Sequence, residues 1–150
     1  MAATTTDSTP CRDLIDEYLA VGILGGAWPD DLPDDKLALP ASRHWRLLQR
    51  VHSPSSGQLS RLLAGLPGGD LGVVRSPHPE VLGVLDPRPL LDEAATIAAP
   101  NGGTGLLIAE SLAAGLAHGC QLWFGTERNV GHLLAHAADE LGVAVHATTA

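Results

Sequence analysis

The chain has 150 residues, enough to form one hydrophobic core but not two. Its formal net charge of −8 and pI near 5.1 exclude the general basic surface of a nonspecific nucleic-acid coat protein. Hydrophobic residues make up 45% of the sequence but aromatic residues only 3%, which favours helices packed closely on a sheet. We therefore predict a disordered tail over residues 1–10 and a single α/β domain over residues 11–150.

Cysteine spacing and hydropathy limit the class of protein further. Cys11 and Cys120 lie far apart, and neither belongs to a CxxC or Cys/His motif that could hold structural zinc. The sequence begins with no basic and apolar leader, and every long apolar run is interrupted by Gly, His or Pro. We expect a cytoplasmic protein with reduced thiols and no contact with a membrane.

The first half of the chain predicts several short elements. An apolar segment from Leu14 to Leu24 ends at two glycines and is followed by an acidic loop with prolines, Asp30 to Asp35. A short strand is expected over 36–39. Helical spacing then begins at Ser42, and a second helix is expected over 58–66. Two β-like runs at 71–74 and 81–85 suggest a loose hairpin or an interrupted edge strand.

The second half alternates helices and strands more regularly. Helices are expected over 87–99, 104–118 and 129–141, with Gly119 as the C-cap of the middle one. Strands are expected over 121–124 and 143–146. This alternation is typical of a three-layer α/β/α fold with a mainly parallel sheet.

Glu110 is the most informative candidate for a functional residue. It is the only formally charged side chain between Glu93 and Glu127. On a helix its neighbours would be Ala113, Ala114 and Ala117, a face of small residues suited to close packing. A buried carboxylate needs a hydrogen bond, an opposite charge or a cation. Glu110 is therefore either a metal or catalytic ligand, or a residue paired with arginine or exposed at the rim.

Other acidic and glycine-rich segments have both a functional and a structural interpretation. Asp13, Asp16 and Glu17 could be ligands or simply acids at a helix N-terminus. The loop Gly125 to Asn129 follows a predicted strand, at the edge where parallel sheets bind ligands, but it could equally be a helix cap. The run 101–105, NGGTG, could bind an anion but lacks the P-loop lysine, so a connecting turn is favoured.

His132 and His136 lie four residues apart and could share a metal on one helix face. Leu133 stands where the HExxH motif of zinc proteases has its glutamate, so that chemistry is unsupported.

Basic residues are concentrated in one segment. Residues 36–69 carry five basic and no acidic side chains, whereas the segments on either side are acidic. Arg43, Arg46 and Arg50 would share one helix face, with Arg61 nearby. Such a face could bind the phosphates of RNA or an acidic protein partner. Alternatively, these arginines could pair with the protein's own acidic side chains.

Several motifs resemble the PIN-domain family, most clearly between Val84 and His146. The family often has a run like DxLIAAxAxxHG, a short strand, a TxD-type loop, a helix and a final strand. The corresponding segments here are GLLIAESLAAGLAHG, CQLWF, GTERN and ELGVAVHA. In the first half, DLIDEYLAVGIL is similar to the opening strand with its acid, and LALPASRHWRLLQRV to the region that supplies a helical glutamate.

The resemblance implies an α/β domain whose acids hold Mg²⁺ or Mn²⁺ to cut RNA, as in many toxins of toxin–antitoxin pairs. It assigns Asp16, Glu110 and Glu127 as the catalytic and metal-binding residues, which must then converge. The acidic set is degenerate: Gly105 replaces the family's Asp, and His44 or Trp45 its helical Glu. We therefore expect a PIN-like metal-dependent ribonuclease that has weakened or lost its activity.

Two alternatives come from other classes. The first is a noncatalytic α/β module that binds a partner through the arginines or the acidic loop, with a homodimer left open. The second is an acetyltransferase of the GNAT type, which the sequence resembles in its glycine-containing turn, long helix, strand and Asn-containing helix. In that case the NGGTG amides would bind coenzyme A.

Overall fold

The structure is a computed structural model that describes residues 13–33, 36–100 and 104–148. Five strands are present in these ranges, and all pair in parallel in the order β3-β2-β1-β4-β5. Their bounds are β1 Asp13–Ile15, β2 Leu37–Leu39, β3 Gly83–Val84, β4 Gln121–Phe124 and β5 Val145–Ala147. The expected mainly parallel sheet is confirmed.

Helices connect the strands. The α-helices of the described ranges are α1 Glu17–Leu24, α2 Ala41–His52, α3 Gln58–Ala64, α4 Gly72–Arg75, α5 Leu91–Ala98, α6 Leu106–His118, α7 Glu127–Val130 and α8 His132–Leu141. None of the helices in the described part of the chain is long and apolar enough to cross a membrane.

Each face of the sheet buries its own apolar cluster. Leu14 of β1 packs with α5, α6 and α8, whereas its neighbour Ile15 packs with α1 to α4. Because successive side chains of a strand point to opposite faces, a strand buried on both sides needs helices on both sides. The three-layer α/β/α architecture follows directly from this arrangement.

Several expected elements are confirmed. The strands at β2 and β4, and the helices at α2, α3, α5 and α6, lie where the sequence predicts them. Gly119 ends α6 with a left-handed backbone, φ 65°, as expected of a glycine C-cap. The tail 1–10 and the residues 101–103 of the glycine-rich turn lie outside the described residues.

Two expectations about secondary structure are wrong, and of the two alternatives for the run at 81–85 the hairpin is excluded. The β-like run at 71–74 is largely the short helix α4, whose Val74 is fully buried against the helices of one layer. The expected helix over 129–141 is divided into α7 and α8 at Gly131, whose φ of 78° no continuous helix can contain. The run at 81–85 forms no hairpin, because β3 pairs in parallel with β2 at the sheet edge.

Candidate functional site

The carboxyl ends of the parallel strands gather the buried polar side chains. Asp16 directly follows β1 and is only 1% exposed. Its Oδ1 accepts a hydrogen bond from the amide of Leu19 at 2.8 Å, which makes it the N-cap of α1. Its Oδ2 accepts from the amide of Gly125, after β4, at 3.3 Å. Asp16 thus joins the ends of two neighbouring strands.

Burial strongly perturbs the acidity of Asp16. Its pKa is raised from 3.8 to about 7, chiefly because burial removes the carboxyl group from water and also because the Glu17 carboxylate lies nearby. The hydrogen bond from Leu19, the charge of Arg43 and the amide of Gly125 act in the opposite direction. Near neutral pH, both the protonated and the ionised forms are therefore populated.

Glu17, the next residue, is completely buried and bound by two arginines. Its Oε1 accepts from Nη1 of Arg43 at 2.7 Å, and its Oε2 from Nη1 of Arg46 at 2.8 Å. The two bonds engage both carboxylate oxygens. Glu17 is therefore the centre of an ion-pair network and has a partner for its buried charge.

Arg43 lies in the first turn of α2 and is 6% exposed. Besides its bond to Glu17, its Nε donates to Oγ of Ser111 on α6 at 2.8 Å. Its guanidinium carbon lies 5.2 Å from the centre of the Phe124 ring on β4. One side chain therefore contacts α1, α6 and β4. We call Asp16, Glu17 and Arg43 the buried charge centre.

Glu110 is buried next to this centre but has a different partner. Its Oε1 accepts from the backbone amide of Ser42 at 2.8 Å. The residue before α2 is Pro40, whose side chain cannot cap the helix. Glu110 thus caps α2 from another helix, and its negative charge lies favourably at a helix N-terminus. This hydrogen bond is the partner that the buried carboxylate of Glu110 needs.

The three acids expected to form a metal site have different environments. Asp16 and Glu110 are both buried, and the first turn of α2 links them, since Ser42 binds Glu110 while Arg43 lies close enough to shift the pKa of Asp16. Glu127 is an exposed residue in the first turn of α7. Within the described ranges, no three His, Cys, Asp or Glu side chains are placed to share a metal ion.

The donor set also fits a divalent cation poorly. A Mg²⁺ or Mn²⁺ site needs several carboxylate oxygens that are free to turn toward the ion. Here both oxygens of Glu17 accept from arginines, both oxygens of Asp16 accept from backbone amides, and one oxygen of Glu110 caps α2. A positive charge already lies among the acids, in the form of Arg43.

The expected arginine face is only partly formed. Arg43 points into the protein, so the interpretation of three guanidinium groups on one solvent face is wrong. The reason is the fully buried Glu17, which draws Arg43 and Arg46 inward. Arg46 keeps 37% of its side chain exposed, Arg50 is half-buried, and Arg61 is exposed and donates to the Ser56 carbonyl. Their role in binding RNA or a protein stays a prediction.

The remaining candidates lie apart from the charge centre. Asp13, at the other end of β1, accepts from the indole of Trp123 at 2.9 Å. His132 and His136 are exposed on α8, and His136 contacts Glu140 at 2.6 Å. No third metal-ligating side chain joins this pair in the described part of the chain.

Sequence reasoning identified Asp16 and Glu17, and it named pairing with the protein's own acids as one alternative for the arginines, but it did not predict that Arg43 is buried. Arg43 precedes the fully buried Leu47 by four residues, which places both on the same helix face. That spacing was the available signal that Arg43 points toward the core.

No protein-family model matches the sequence, and no curated protein matches it.

Proposed function

We propose that this chain is a PIN-like α/β domain that works as a noncatalytic binding module. The observation that carries the proposal is the salt bridge of 2.7 Å between Arg43 and Glu17, both buried. A nuclease of this kind needs clustered carboxylates that attract a metal cation. In this chain an arginine neutralises that charge, and the acids stabilise the fold instead.

The PIN-like part of the proposal is supported by the position of the acids. The resemblance implies an acid at the opening strand and further acids that converge with it around a metal ion. Asp16 and Glu17 follow β1, and Glu110 lies on α6 beside the first turn of α2. Parallel α/β sheets bind their ligands at the carboxyl ends of their strands.

The alternatives have less support. A metal-dependent ribonuclease would have to release Glu17 from two arginines before it could use that carboxylate. An acetyltransferase of the GNAT type needs antiparallel strands before its glycine-rich turn, and the described strands are all parallel. RNA or an acidic protein remains the proposed partner of Arg46, Arg50 and Arg61, the arginines that keep some exposure.

A cleavage assay tests the proposal. End-labelled single-stranded RNA is incubated with the full chain and Mn²⁺ or Mg²⁺, beside the variant Asp16→Asn. We expect both proteins to leave the RNA intact, at the level of metal alone. Metal-dependent cleavage by the wild type that is lost in Asp16→Asn would contradict the proposal and favour the nuclease.

A further inference from the structure

A groove of about 370 Å³ opens at the carboxyl ends of β1 and β4. These two strands are neighbours, but the chain leaves them in opposite directions: β1 is followed by β2 on one side, and β4 by β5 on the other. This is the topological switch point of the sheet, the place where open α/β sheets form a ligand crevice. The volume is in the range of small-molecule sites, roughly 300–1,000 Å³.

Besides Asn129 of α7 and Thr148 after β5, four parts of the fold form the walls of the groove. They are the start of α1, the segment that follows α1, the helix α3 and the loop after β4. Two aromatic side chains, Tyr18 and Trp28, contribute to them. Trp28 is 39% exposed, and its indole donates to the carbonyl of Leu32 at 3.3 Å, which fixes the ring at the groove.

Polar groups at the carboxyl edge of the groove are held in place by hydrogen bonds. The hydroxyl of Thr126 donates to Oδ1 of Asn129 at 3.1 Å. The hydroxyl of Thr148 donates to the carbonyl of Gly125 at 2.8 Å. An amide and two hydroxyl groups are thus fixed beside aromatic and aliphatic surface, a combination that orients a ligand with both an apolar face and polar edges.

The charge of the lining residues limits the class of ligand that the groove can bind. None of the described residues that line the groove is charged, although the chain has a net charge of −8. The guanidinium carbon of Arg46 lies 5.8 Å from the centre of the Tyr18 ring, but Glu17 already binds that arginine at 2.8 Å. An anionic group bound in the groove would therefore lose water without gaining a free counter-ion, which costs free energy. The groove therefore complements an uncharged ligand.

We propose that the groove binds an uncharged planar heterocycle of the nucleobase class, with its ring against Tyr18 and Trp28 and its polar edge toward Thr126 and Asn129. The inference deepens the proposed function, because it gives the binding module a site and a ligand class. The residues of the charge centre do not line the groove, although Asp16 accepts hydrogen bonds from the amides of two lining residues, Leu19 and Gly125.

The test uses the four common ribonucleosides as probes and the full chain labelled with ¹⁵N. We expect at least one nucleoside to cause saturable amide shifts at Gly125, Thr126 and Asn129. The matching 5′-monophosphate should bind more weakly, by at least about tenfold.

A matched pair of variants locates the site. Leu62 lines the groove and Leu116 lies on α6, and each is 38% exposed, so both positions tolerate a polar side chain. Leu62→Arg should weaken nucleoside binding by at least about tenfold, and Leu116→Arg should leave it unchanged.

Any of three results would overturn the inference: no saturable shift with any nucleoside, shifts elsewhere in the chain, or equal binding by Leu62→Arg. The RNA cleavage assay is read separately. Cleavage of RNA would overturn the proposed function but not the inference about the groove. An absence of nucleoside binding would overturn the inference about the groove but not the proposed function.

Discussion

Arg43 determines the character of the buried charge centre. Its guanidinium donates hydrogen bonds to the buried carboxylate of Glu17 and to the hydroxyl group of Ser111, and it lies over the ring of Phe124. Only the planar guanidinium can bond to Glu17 through one nitrogen and to Ser111 through another while it lies over Phe124. A lysine at this position would keep the charge but lose that geometry.

Replacing Arg43 by methionine should strongly destabilise the protein. Arg43→Met leaves Glu17 with one arginine in place of two, in a position with no access to water, and the loss of one partner of a buried ion pair costs about 3–5 kcal/mol. Arg46→Met removes the same carboxylate's other, more exposed partner and should cost only about 1 kcal/mol. Urea unfolding of both variants checks this, and equal losses would contradict it.

Asp16 should make the stability depend on pH. Because its pKa in the folded protein is raised to about 7 from 3.8, the fold holds the proton more tightly than the unfolded chain does. The stabilisation from this residue is therefore fully present below pH 3.8 and is lost as the pH rises through about 7. At 1.36 kcal/mol per pH unit, the loss is on the order of 4 kcal/mol.

Asparagine at position 16 can still cap α1 but has no charge. The free energy of unfolding of Asp16→Asn, relative to wild type, should therefore rise between pH 5 and pH 8. Asp92→Asn, at an exposed position in the first turn of α5, is the control and should follow the wild type. Parallel pH profiles for Asp16→Asn and wild type would contradict the account.

Among the elements, α6 packs closely against the residues that lead into β4 and β5. A Cβ on Gly115 would lie 3.0 Å from Cγ1 of Val143 and 3.4 Å from the carbonyl of Cys120. On α1, a Cβ on Gly22 would meet only the carbonyl of Ala27, at an ordinary distance of 3.5 Å. Both glycines are inside helices, where the higher helix propensity of alanine would by itself raise the free energy of unfolding by about 1 kcal/mol.

The two Gly→Ala variants should have opposite effects. Gly22→Ala should raise the melting temperature, because it gains helix propensity without a clash. Gly115→Ala should lower it, because Val143 is buried and has little room to move. Thermal unfolding followed by circular dichroism distinguishes the two, and stabilisation by Gly115→Ala would show that α6 packs more loosely than the structure indicates.

Elements with strong local signals could be predicted from the sequence. Gly119 marks the end of α6, and the apolar run that follows gives β4. The run at 71–74 was wrongly predicted to be β-like because Val73 and Val74 favour strands. Burial against the neighbouring helices decides their structure instead. The break at Gly131 depends on a positive φ, and a glycine inside a helical pattern does not by itself reveal its conformation.

At the scale of the whole molecule, the parallel sheet was predictable and the charge centre was not. Alternating helices and strands indicate parallel pairing, because a parallel connection needs a crossover. The pairing of Glu17 with Arg43 joins residues 26 positions apart, and Glu110 caps a helix 68 positions away. The contact between Glu17 and Arg43 arises because β1 and β2 are neighbours, so that α1 and α2 begin at the same edge of the sheet.

We propose that Arg43 takes the place of a metal ion among the acids. The most direct test of this proposal is a thermal-shift titration of the wild type with Mn²⁺ and Mg²⁺ at constant ionic strength, beside Asp16→Asn and Glu110→Gln. If Arg43 fills that place, no metal-dependent change in melting temperature is expected for any of the three proteins. A ligand at 100 times its Kd would add about 2.7 kcal/mol, a shift of several degrees for a domain of this size. Such a rise in the wild type, lost in the two variants, would contradict the account and identify the acids as a metal site.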